Sequence, residues 1–520
     1  MSFLKAMNAE MDGEFNKSVT ENGAVGYRTT GKSLLDLNFS VASLRSASDA
    51  EIIERFKLAF FEDKRLAMKW LFFARDIRGG LGERRLFRTV MNYIAEYEPG
   101  IVIKVIQLIP EYGRFDDLLG LLDIDNLRPA VLHYITSVLQ EDKEKMTKGE
   151  PISLLAKWLP SANASSAKTK RYAKLIRSWL RITEKQYRNL LSKMRNYLDI
   201  VERKMSSGQW GEINYESVPS RANLIYNNAF LRNDEERRRE YLSRLENGKA
   251  KINSSVLYPH DIVHKYFDNS RYGYHTTVMK YDASLEEMWK SLPNTIGEDC
   301  RTIVVADGSG SMNVKVGNTN VSAICVADAL AIYFAEHLSG EFKNKYITFS
   351  SRPKLVDFSM VKSLRDKISI ALSHNEVANT NIEAVFDLIL NTAIHNNMGQ
   401  EDIPANVLII SDMEFDIAVC SNRCRYGGVD ENLFKTIASK YEEAGYKLPR
   451  LVFWNVNSRT GTIPVRENEN GVALVSGFSI NICKMVMSGK TDPYECLLET
   501  LNSERYAQID NVLNNSRCFE

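Results

Sequence analysis

The sequence predicts a helical region followed by a doubly wound α/β domain. From residue 49 to residue 245, apolar residues recur at helical spacing, and no strand-like alternation competes with that pattern. After residue 300, short β-branched apolar runs alternate with helical patterns, which is typical of a mostly parallel, Rossmann-like sheet with helices on both faces. The predicted fold class is therefore all-α followed by α/β.

The helical region is predicted as a series of short helices joined by turns. Turn residues such as Gly79, Gly80 and Pro99 separate the first helices. Further helices are predicted at 115–122, 127–146, 164–180, 184–204, 221–230 and 234–245. Helices of this kind favour a HEAT-like α-solenoid of stacked helix pairs. Because no fixed-period repeat is visible, an irregular helical bundle is the alternative.

The α/β domain shows strand and helix patterns in alternation. The runs RTIVVA at 301–306 and ANVLII at 405–410 are apolar and β-branched, as expected for strands buried on both faces of a parallel sheet. Further strands are predicted at 345–349, 450–454 and 472–475, and helices at 321–338, 382–394, 433–444 and 481–487.

A polar segment precedes the helices. Residues 1–45 are rich in Asn, Gly, Ser and Thr and show no sustained periodicity, so they are predicted to form a partly ordered arm. The helical domain is predicted at 46–295. The α/β domain, with its carboxy-terminal helices, is predicted at 296–520.

Composition and cysteine usage limit the class of protein. The 520 residues carry a formal net charge of +1, and 44% are hydrophobic, which suits an ordinary globular protein. Seven cysteines form an odd, scattered set, which favours free thiols in a reducing compartment over a disulfide framework. No apolar signal segment and no run of about eighteen apolar residues occurs. We therefore expect a cytoplasmic or nucleoplasmic protein that is neither secreted nor membrane-spanning.

A candidate metal-binding turn follows the first strand of the α/β domain. The strand at 301–306 runs directly into Asp307-Gly308-Ser309-Gly310-Ser311. This turn is predicted at the carboxyl end of a central parallel strand, where open α/β sheets bind ligands. One carboxylate and two hydroxyls are hard oxygen ligands, which suit Mg²⁺ or a similar cation.

The Asp-x-Ser-x-Ser pattern resembles the metal-ion-dependent adhesion site (MIDAS) of von Willebrand factor A domains. Two further loops occur in the order that this resemblance requires: Thr380 precedes the helix at 382–394, and Asp412 follows the strand at 405–410. The predicted metal site comprises Asp307, Ser309, Ser311, Thr380 and Asp412. The alternative is that the turn is a Gly/Ser linker or a phosphate-binding turn, that Thr380 is only a helix cap, and that Asp412 is only a loop residue.

The resemblance also implies a role for each ligand. Ser309 and Ser311 would contact Mg²⁺, or another divalent cation such as Mn²⁺ or Ca²⁺, directly, with Thr380 as a further candidate. Asp307 and Asp412 would act mainly through bound water. Such a site leaves a coordination position for an acidic group of a protein partner.

Other motifs resemble an uncharacterised family, a domain of unknown function, in which a helical region precedes an A domain. These motifs are ARDIRGGLGER at 74–84, TNIEAVFD at 380–387, SDMEF at 411–415 and GVALVSGFS at 471–479. The resemblance extends from about Phe39 to the carboxy terminus. More distantly, the layout is similar to the Ro autoantigen type, in which a ring of HEAT-like helices, the TROVE module, binds RNA and an A domain closes the ring. This second likeness implies an RNA partner.

A segment rich in Lys and Arg independently supports the hypothesis of an RNA partner. Between residues 165 and 251 there are 20 Lys and Arg against 10 Asp and Glu, a surplus of 10 positive charges. Within it, cations recur at helical spacing with Tyr172, Trp179 and Tyr187 interleaved, which would provide charges for phosphates and rings for stacking bases. The predicted RNA-binding residues are Lys168, Lys170, Arg171, Lys174, Arg177, Arg181, Lys185 and Arg188. The alternative is a solvated helix face with its aromatic rings in the core.

Other patterns do not support a catalytic site. His260 and His264 lie four residues apart but lack a third ligand motif, and Cys420 and Cys424 lack a matching second pair. Nothing arranges a nucleophile with a base. The predicted function is a non-catalytic RNA-binding or ribonucleoprotein scaffold with a metal-dependent interaction domain. The alternatives are a metal-dependent protein-interaction module or a self-assembling structural protein, both without RNA.

Overall fold

A computed structural model describes most of the chain. The described residues are 15–19, 25–267, 278–296, 301–350, 352–375, 381–414, 432–459, 461, 463, 472–483 and 492–514. The structural statements that follow concern these residues.

The secondary structure begins with short strands and helices: β1 Lys17–Val19, β2 Val25–Tyr27, α1 Ser33–Phe39, α2 Val41–Leu44 and α3 Asp49–Glu62. A purely helical stretch follows: α4 Lys64–Arg75, α5 Arg84–Tyr97, α6 Pro99–Val105, α7 Ile109–Tyr112, α8 Arg128–Thr147, α9 Leu155–Trp158, α10 Ala167–Trp179, α11 Glu184–Tyr197, α12 Val201–Ser206, α13 Ser220–Asn233 and α14 Glu235–Glu246. The remainder alternates between strands and helices: α15 Pro259–Val263, α16 Ala283–Lys290, β3 Thr302–Asp307, α17 Ala323–His337, β4 Lys345–Phe349, β5 Leu355–Asp357, α18 Leu364–His374, α19 Ile382–His395, β6 Asn406–Ser411, α20 Asn432–Glu443, β7 Arg450–Asn455, β8 Val472–Ser476, α21 Pro493–Leu501 and α22 Ala507–Asn514. Short 3-10 helices also occur, among them Phe115–Asp123, Gly310–Asn313 and Ile480–Ile482.

The chain divides into two compact units, each built from two separate segments. The α/β unit comprises residues 1–62 and 257–502, and the helical unit comprises residues 63–256 and 503–520. These bounds differ from the predicted division at residues 45 and 295. Both ends of the chain belong to units whose main parts lie elsewhere in the sequence.

The predicted amino-terminal arm includes an ordered part of the α/β unit. Leu35 and Phe39 of α1 are buried, and Phe39 belongs to the core cluster that contains the inner residues of the sheet. The Asn455 side chain donates to the Phe39 carbonyl at 3.0 Å, and the Ala42 amide donates to Ser476 Oγ at 3.1 Å. The polar composition of residues 1–45 concealed this short apolar stretch, which the sheet buries.

The helical unit is held by buried aromatic and aliphatic side chains. Helix α4 is capped by Asp63, whose side chain accepts from the Leu66 amide at 2.8 Å, and it buries Trp70 and Phe72 completely. Helices contact their neighbours in sequence, α4 with α5, α5 with α6 and α13 with α14, as in an α-solenoid. The single helix predicted at 184–204 is wrong. It is interrupted at Asp199, which adopts a positive φ of 49° between α11 and α12.

Helix α22 completes the helical unit. It packs on α4 and α6, and its Asp510 forms ion pairs with Arg65 and with the buried Lys69. Just before this helix, Arg505 forms an ion pair with Asp76, which is itself buried. The carboxy-terminal segment was predicted as part of the α/β domain. Its polar contacts instead explain why it belongs with the helices.

The sheet of the α/β unit confirms the predicted fold class. Its strand order is β5-β4-β3-β6-β7-β8, and every neighbouring pair is parallel except the edge pair of β4 and β5. The sequence patterns did not predict the edge strand β5, which has only three residues. They also did not predict helix α18. Of the helix predicted at 481–487, the described part is the 3-10 turn Ile480–Ile482.

The strand order creates a topological switch point between β3 and β6. From β3 the chain proceeds outward through β4 and β5, and it then returns to β6 on the other side of β3. Loops that leave adjacent strands in opposite directions open a crevice at their carboxyl ends, which is where doubly wound sheets bind ligands. The candidate metal centre begins at this crevice.

Helices long and apolar enough to cross a bilayer do not occur in the described part of the chain.

Candidate metal centre

Asp307 is fixed by hydrogen bonds from both adjoining loops. It is the last residue of β3 and is buried. Its Oδ1 accepts from the Ser309 amide at 2.9 Å, and its Oδ2 accepts from the Ser411 hydroxyl at 2.6 Å. Ser411 in turn accepts from the Met413 amide at 3.1 Å. The carboxylate therefore joins the loop after β3 to the loop after β6.

Ser309 and Ser311 present their hydroxyls side by side. Their Oγ atoms are 2.9 Å apart, because the chain bends into the 3-10 turn Gly310–Asn313 directly after Ser309. Gly308 leaves room for Asn375, since a Cβ on Gly308 would lie 2.5 Å from Asn375 Oδ1 and 2.9 Å from Asn375 Cα. The turn therefore brings two hydroxyl oxygens to the carboxyl end of β3.

Asp412 is a buried carboxylate with little compensation. Its Oδ1 accepts from the Glu414 amide at 3.2 Å, whereas its Oδ2 has no hydrogen-bond partner within the described structure and lies 3.5 Å from the Arg459 guanidinium. Burial, followed by repulsion from Asp307, raises the pKa of Asp412 to about 7. Two buried carboxylates at adjacent strand ends provide negative charge that a cation would neutralise.

These residues fit a hard divalent cation. All the donor atoms are carboxylate or hydroxyl oxygens, which Mg²⁺, Mn²⁺ and Ca²⁺ bind. The orphaned Asp412 Oδ2 and the paired serine hydroxyls are the atoms that such an ion would satisfy. A bound ion would supply a positive centre able to attract an acidic group.

The fifth predicted ligand, Thr380, lies outside the described residues. The next residue, Asn381, is described, and its side chain caps α19 by accepting from the Ala384 amide at 3.1 Å. Asn381 is therefore the described residue whose side chain caps this helix. A role for Thr380 as a metal ligand stays a prediction.

Sequence reasoning missed several residues that support the site. Ser411 orients Asp307, and Asn375 packs over Gly308 while donating to the buried Asp328 at 3.0 Å. Glu414 is buried and accepts from the Arg459 amide at 2.7 Å. Only Ser411 had a usable signal, because it ends β6 next to Asp412. The others join the site through tertiary packing.

The predicted RNA-binding cations lie on α10 and α11 and in the turn between them. All of them are exposed except Arg177, which is half-buried. Lys168 and Arg171 form ion pairs with Asp123. We call the eight residues the basic surface: Lys168, Lys170, Arg171, Lys174, Arg177, Arg181, Lys185 and Arg188.

The aromatic residues of this segment do not all remain available for stacking. Tyr172 is buried and donates to Asp123 Oδ2 at 2.7 Å, and Tyr187 is buried and donates to the Pro160 carbonyl at 2.9 Å. Their predicted role as stacking platforms is wrong, because their rings belong to the helical core. Trp179 retains 43% exposure and is the ring that a base could reach.

The remaining candidates have structural explanations. Two other arginines of the segment 165–251 are paired at helical spacing, Arg237 with Asp234 and Arg239 with Glu235. His260 is buried, and its ring packs against Tyr258 and Phe478. Cys420 and Cys424, considered as a zinc pair, lie outside the described residues.

Comparisons with known proteins identify the family. A model described as Domain of unknown function (DUF7788) matches residues 301–514, and one described as Domain of unknown function (DUF2828) matches residues 20–124 and 164–301. Uncharacterized protein L728 of Acanthamoeba polyphaga mimivirus is 30% identical over 525 residues, which cover 94% of this chain and 87% of that protein. The chain therefore belongs to the same family as the mimivirus protein L728, with the two matched domains of unknown function in the order DUF2828 and DUF7788. The family resemblance carried by the sequence motifs is thus confirmed.

One solved structure shows a weak overall similarity to this chain. The crystal structure of the Deinococcus radiodurans RO (RSR) protein is similar with a TM-score of 0.38 and 13% identity, over 89% of this chain and 92% of that chain. Likeness at this level does not establish a shared binding function.

Proposed function

We propose that this chain is a non-catalytic scaffold that docks an acidic group of a protein partner through a divalent cation and contacts RNA through the basic surface. One observation carries the docking role. The ends of β3 and β6 bring two buried carboxylates and two serine hydroxyls to the switch point of the sheet. The cation in this proposal is Mg²⁺, Mn²⁺ or Ca²⁺.

The hydrogen bonds favour docking over catalysis. Asp307 already accepts from an amide and from a hydroxyl, so it serves to orient the loops rather than to accept a proton. The hydroxyls of Ser309 and Ser311 are only two protein ligands. An ion bound mainly by them keeps further coordination positions for water or for a carboxylate. A partner that supplies a Glu or Asp side chain would complete the shell.

Mg²⁺ binding tests the docking role. Titration calorimetry on the chelator-treated chain should detect Mg²⁺ binding, and the double variant Ser309→Ala with Ser311→Ala should weaken it at least about tenfold, since two oxygen ligands are lost. Glu401→Gln is the matched control, because it removes an exposed carboxylate from the same unit. An acidic-peptide array should then bind in Mg²⁺ and not in chelator. Equal Mg²⁺ affinity in the double variant and the control would reject the proposal.

RNA contact is supported by the exposure of the basic surface. Lys170, Lys174 and Lys185 extend into solvent on successive turns and helices, where a phosphate backbone can approach them. Trp179 adds one accessible ring beside them. The ion pairs with Asp123 reduce the charge at Lys168 and Arg171, so the contribution of these two residues is smaller.

Salt dependence tests the RNA role. Affinity for a single-stranded RNA of about twenty nucleotides should fall steeply with salt, and Lys170→Gln with Lys174→Gln should reduce the slope of log K against log salt by about 1 to 1.5. The matched control is Lys143→Gln with Lys148→Gln, which removes two exposed lysines, one near the carboxyl end of α8 and one at its C-cap. If both double variants bind RNA as the parent chain does, the RNA role is wrong and the metal-dependent interaction module remains.

A further inference from the structure

A cluster of arginines lies in the helical unit, apart from the basic surface. It consists of Arg75 at the end of α4, Arg84 and Arg88 at the start of α5, and Arg114 before the 3-10 helix Phe115–Asp123. We call these four residues the arginine cluster. Two carboxylates, Asp116 and Asp117, face them, so the group carries a surplus of two positive charges.

Asp117 is fully engaged in holding the cluster together. Its side chain is completely buried. Its Oδ2 accepts from Arg75 Nε at 2.8 Å and from the Arg114 amide at 3.0 Å, and its Oδ1 accepts from Arg88 Nε at 2.6 Å. A paired buried carboxylate of this kind is structural, and it fixes the guanidiniums of Arg75 and Arg88 from behind.

Asp116 compensates the outer arginines only in part. It accepts a hydrogen bond from Arg114 Nη2 at 3.1 Å, and it lies 2.9 Å from Arg88 Nη2 and 3.0 Å from Arg114 Nε. The last two nitrogens are buried, yet neither makes a hydrogen bond of good geometry with any group in the described structure. Buried guanidinium donors are ordinarily satisfied, so Asp116 leaves hydrogen-bonding capacity at these two nitrogens unused.

Arg84 adds a positive charge to the cluster but takes no part in the ion pairs that join the other three arginines to Asp116 and Asp117. It stands four residues before Arg88 on the same face of α5, and part of its side chain is exposed to solvent while the rest packs against the protein. Partial burial, followed by repulsion from Arg114, lowers the pKa of Arg84 to about 10, and Arg88 and Arg75 contribute in the same direction. An anion beside Arg84 would relieve this repulsion.

Arg114 is held in a fixed orientation. Its guanidinium stacks on Trp158, with 4.1 Å between the guanidinium carbon and the ring centroid. Arg88 is tied through its Nε to Asp117. Two of the outer arginines are therefore preorganised, which lowers the entropic cost of binding an anion between them.

We propose that Arg84, Arg88 and Arg114 form a binding site for a phosphate group. A phosphate monoester carries about two negative charges above pH 7, which matches the surplus of the cluster. Its tetrahedral oxygens accept from several guanidiniums at once, which a single carboxylate does less well. The site is independent of the RNA role proposed above, because it shares no residue with the basic surface. The phosphate comes either from a small phosphate-bearing molecule or from a nucleic-acid strand.

Inorganic phosphate is the first probe. Titration calorimetry with the full chain in phosphate-free, low-salt buffer should detect binding, and Arg84→Gln should weaken it at least tenfold. Lys143→Gln is the matched control, because it removes one exposed positive charge from the same unit and should leave the affinity unchanged. Arg84→Lys keeps the charge but loses the forked donors, so it should show an intermediate loss.

Competition identifies the source of the phosphate. A twelve-nucleotide oligouridylate with a 5′-hydroxyl should displace inorganic phosphate if the backbone is the ligand, and only its 5′-phosphorylated form should do so if a terminal phosphate is. Failure of both oligonucleotides to displace phosphate assigns the site to small molecules. The proposal is overturned if the parent chain does not bind phosphate, or if Arg84→Gln and Arg84→Lys, folded as judged by circular dichroism, bind phosphate as tightly as Lys143→Gln.

Discussion

The metal centre and the basic surface differ in how their charges are compensated. At the metal centre, Asp307 and Asp412 are buried at adjacent strand ends, and one carboxylate oxygen has no hydrogen-bond partner within the described structure. On the basic surface, the cations are exposed to water, and Asp123 already pairs with two of them. Two buried carboxylates, of which one is paired only with Arg459 at 3.5 Å, favour a bound cation more strongly than solvated lysines and arginines favour a bound anion. The first region therefore constrains function more strongly than the second.

Loss of Asp307 should have the largest effect. Asp307→Ala leaves the Ser309 amide and the Ser411 hydroxyl without their acceptor, so the free energy of unfolding should fall by about 2–4 kcal/mol. Stabilisation by Mg²⁺ should also disappear. Chemical denaturation with and without Mg²⁺ measures both quantities. If Mg²⁺ stabilises this variant as much as it stabilises the parent chain, the proposed metal centre is wrong.

A methyl group on Gly308 should come next. Gly308→Ala brings a Cβ to 2.9 Å from the backbone of Asn375, which cannot easily shift, so we expect a loss of about 1–3 kcal/mol and weaker Mg²⁺ binding. The control is Gly100→Ala in the helical unit, where nothing lies within 4 Å of the added carbon and stability should not fall. Equal behaviour of the two alanine variants in thermal unfolding would contradict the proposed tight packing of the turn.

The aromatic residues of the basic surface should separate into two classes. Trp179→Ala should weaken RNA binding by about 1–2 kcal/mol if a base stacks on the exposed ring. Tyr187→Phe should leave RNA affinity unchanged and cost about 1 kcal/mol of stability, because it removes the bond to the Pro160 carbonyl. Filter binding and thermal unfolding test the pair. RNA affinity that depends on Tyr187 would show that the helices open on binding.

Lys168 should give the smallest effect. Its ion pair with Asp123 spans 3.3 Å between partly exposed side chains, so Lys168→Gln should change stability by less than about 0.5 kcal/mol. A double-mutant cycle with Asp123→Asn measures the coupling directly. A coupling above about 1 kcal/mol would mean that the basic surface is more strongly compensated than its exposure suggests.

The sequence predicted best what the chain determines locally. The strands β3 and β6 and the turn between Asp307 and Ser311 follow from apolar runs that end in polar residues, and the parallel sheet brings their ends together. By contrast, helical periodicity could not distinguish a core tyrosine from a surface one. Tyr172 and Tyr187 occupy the buried stripes of α10 and α11, among cations that suggested a binding face.

Long-range packing accounts for most of what the sequence did not predict. Asn375 contacts Gly308, and Arg459 lies near Asp412, although each pair is far apart in sequence. Helix or strand periodicity cannot predict such contacts. Amino-acid composition also did not predict which unit the amino-terminal segment belongs to. The polar amino-terminal residues conceal α1, which contributes Phe39 to the core of the sheet.

The placement of α22 has a consequence for synthesis of the protein. Its partners in the helical unit, such as the buried Lys69, leave the ribosome more than four hundred residues before Asp510 does. Until then Lys69 lacks its carboxylate, and the surfaces of α4 and α6 that α22 covers stay open. The whole main segment of the α/β unit is translated in this interval. The two units are thus made in a nested order, and the helical unit is completed last.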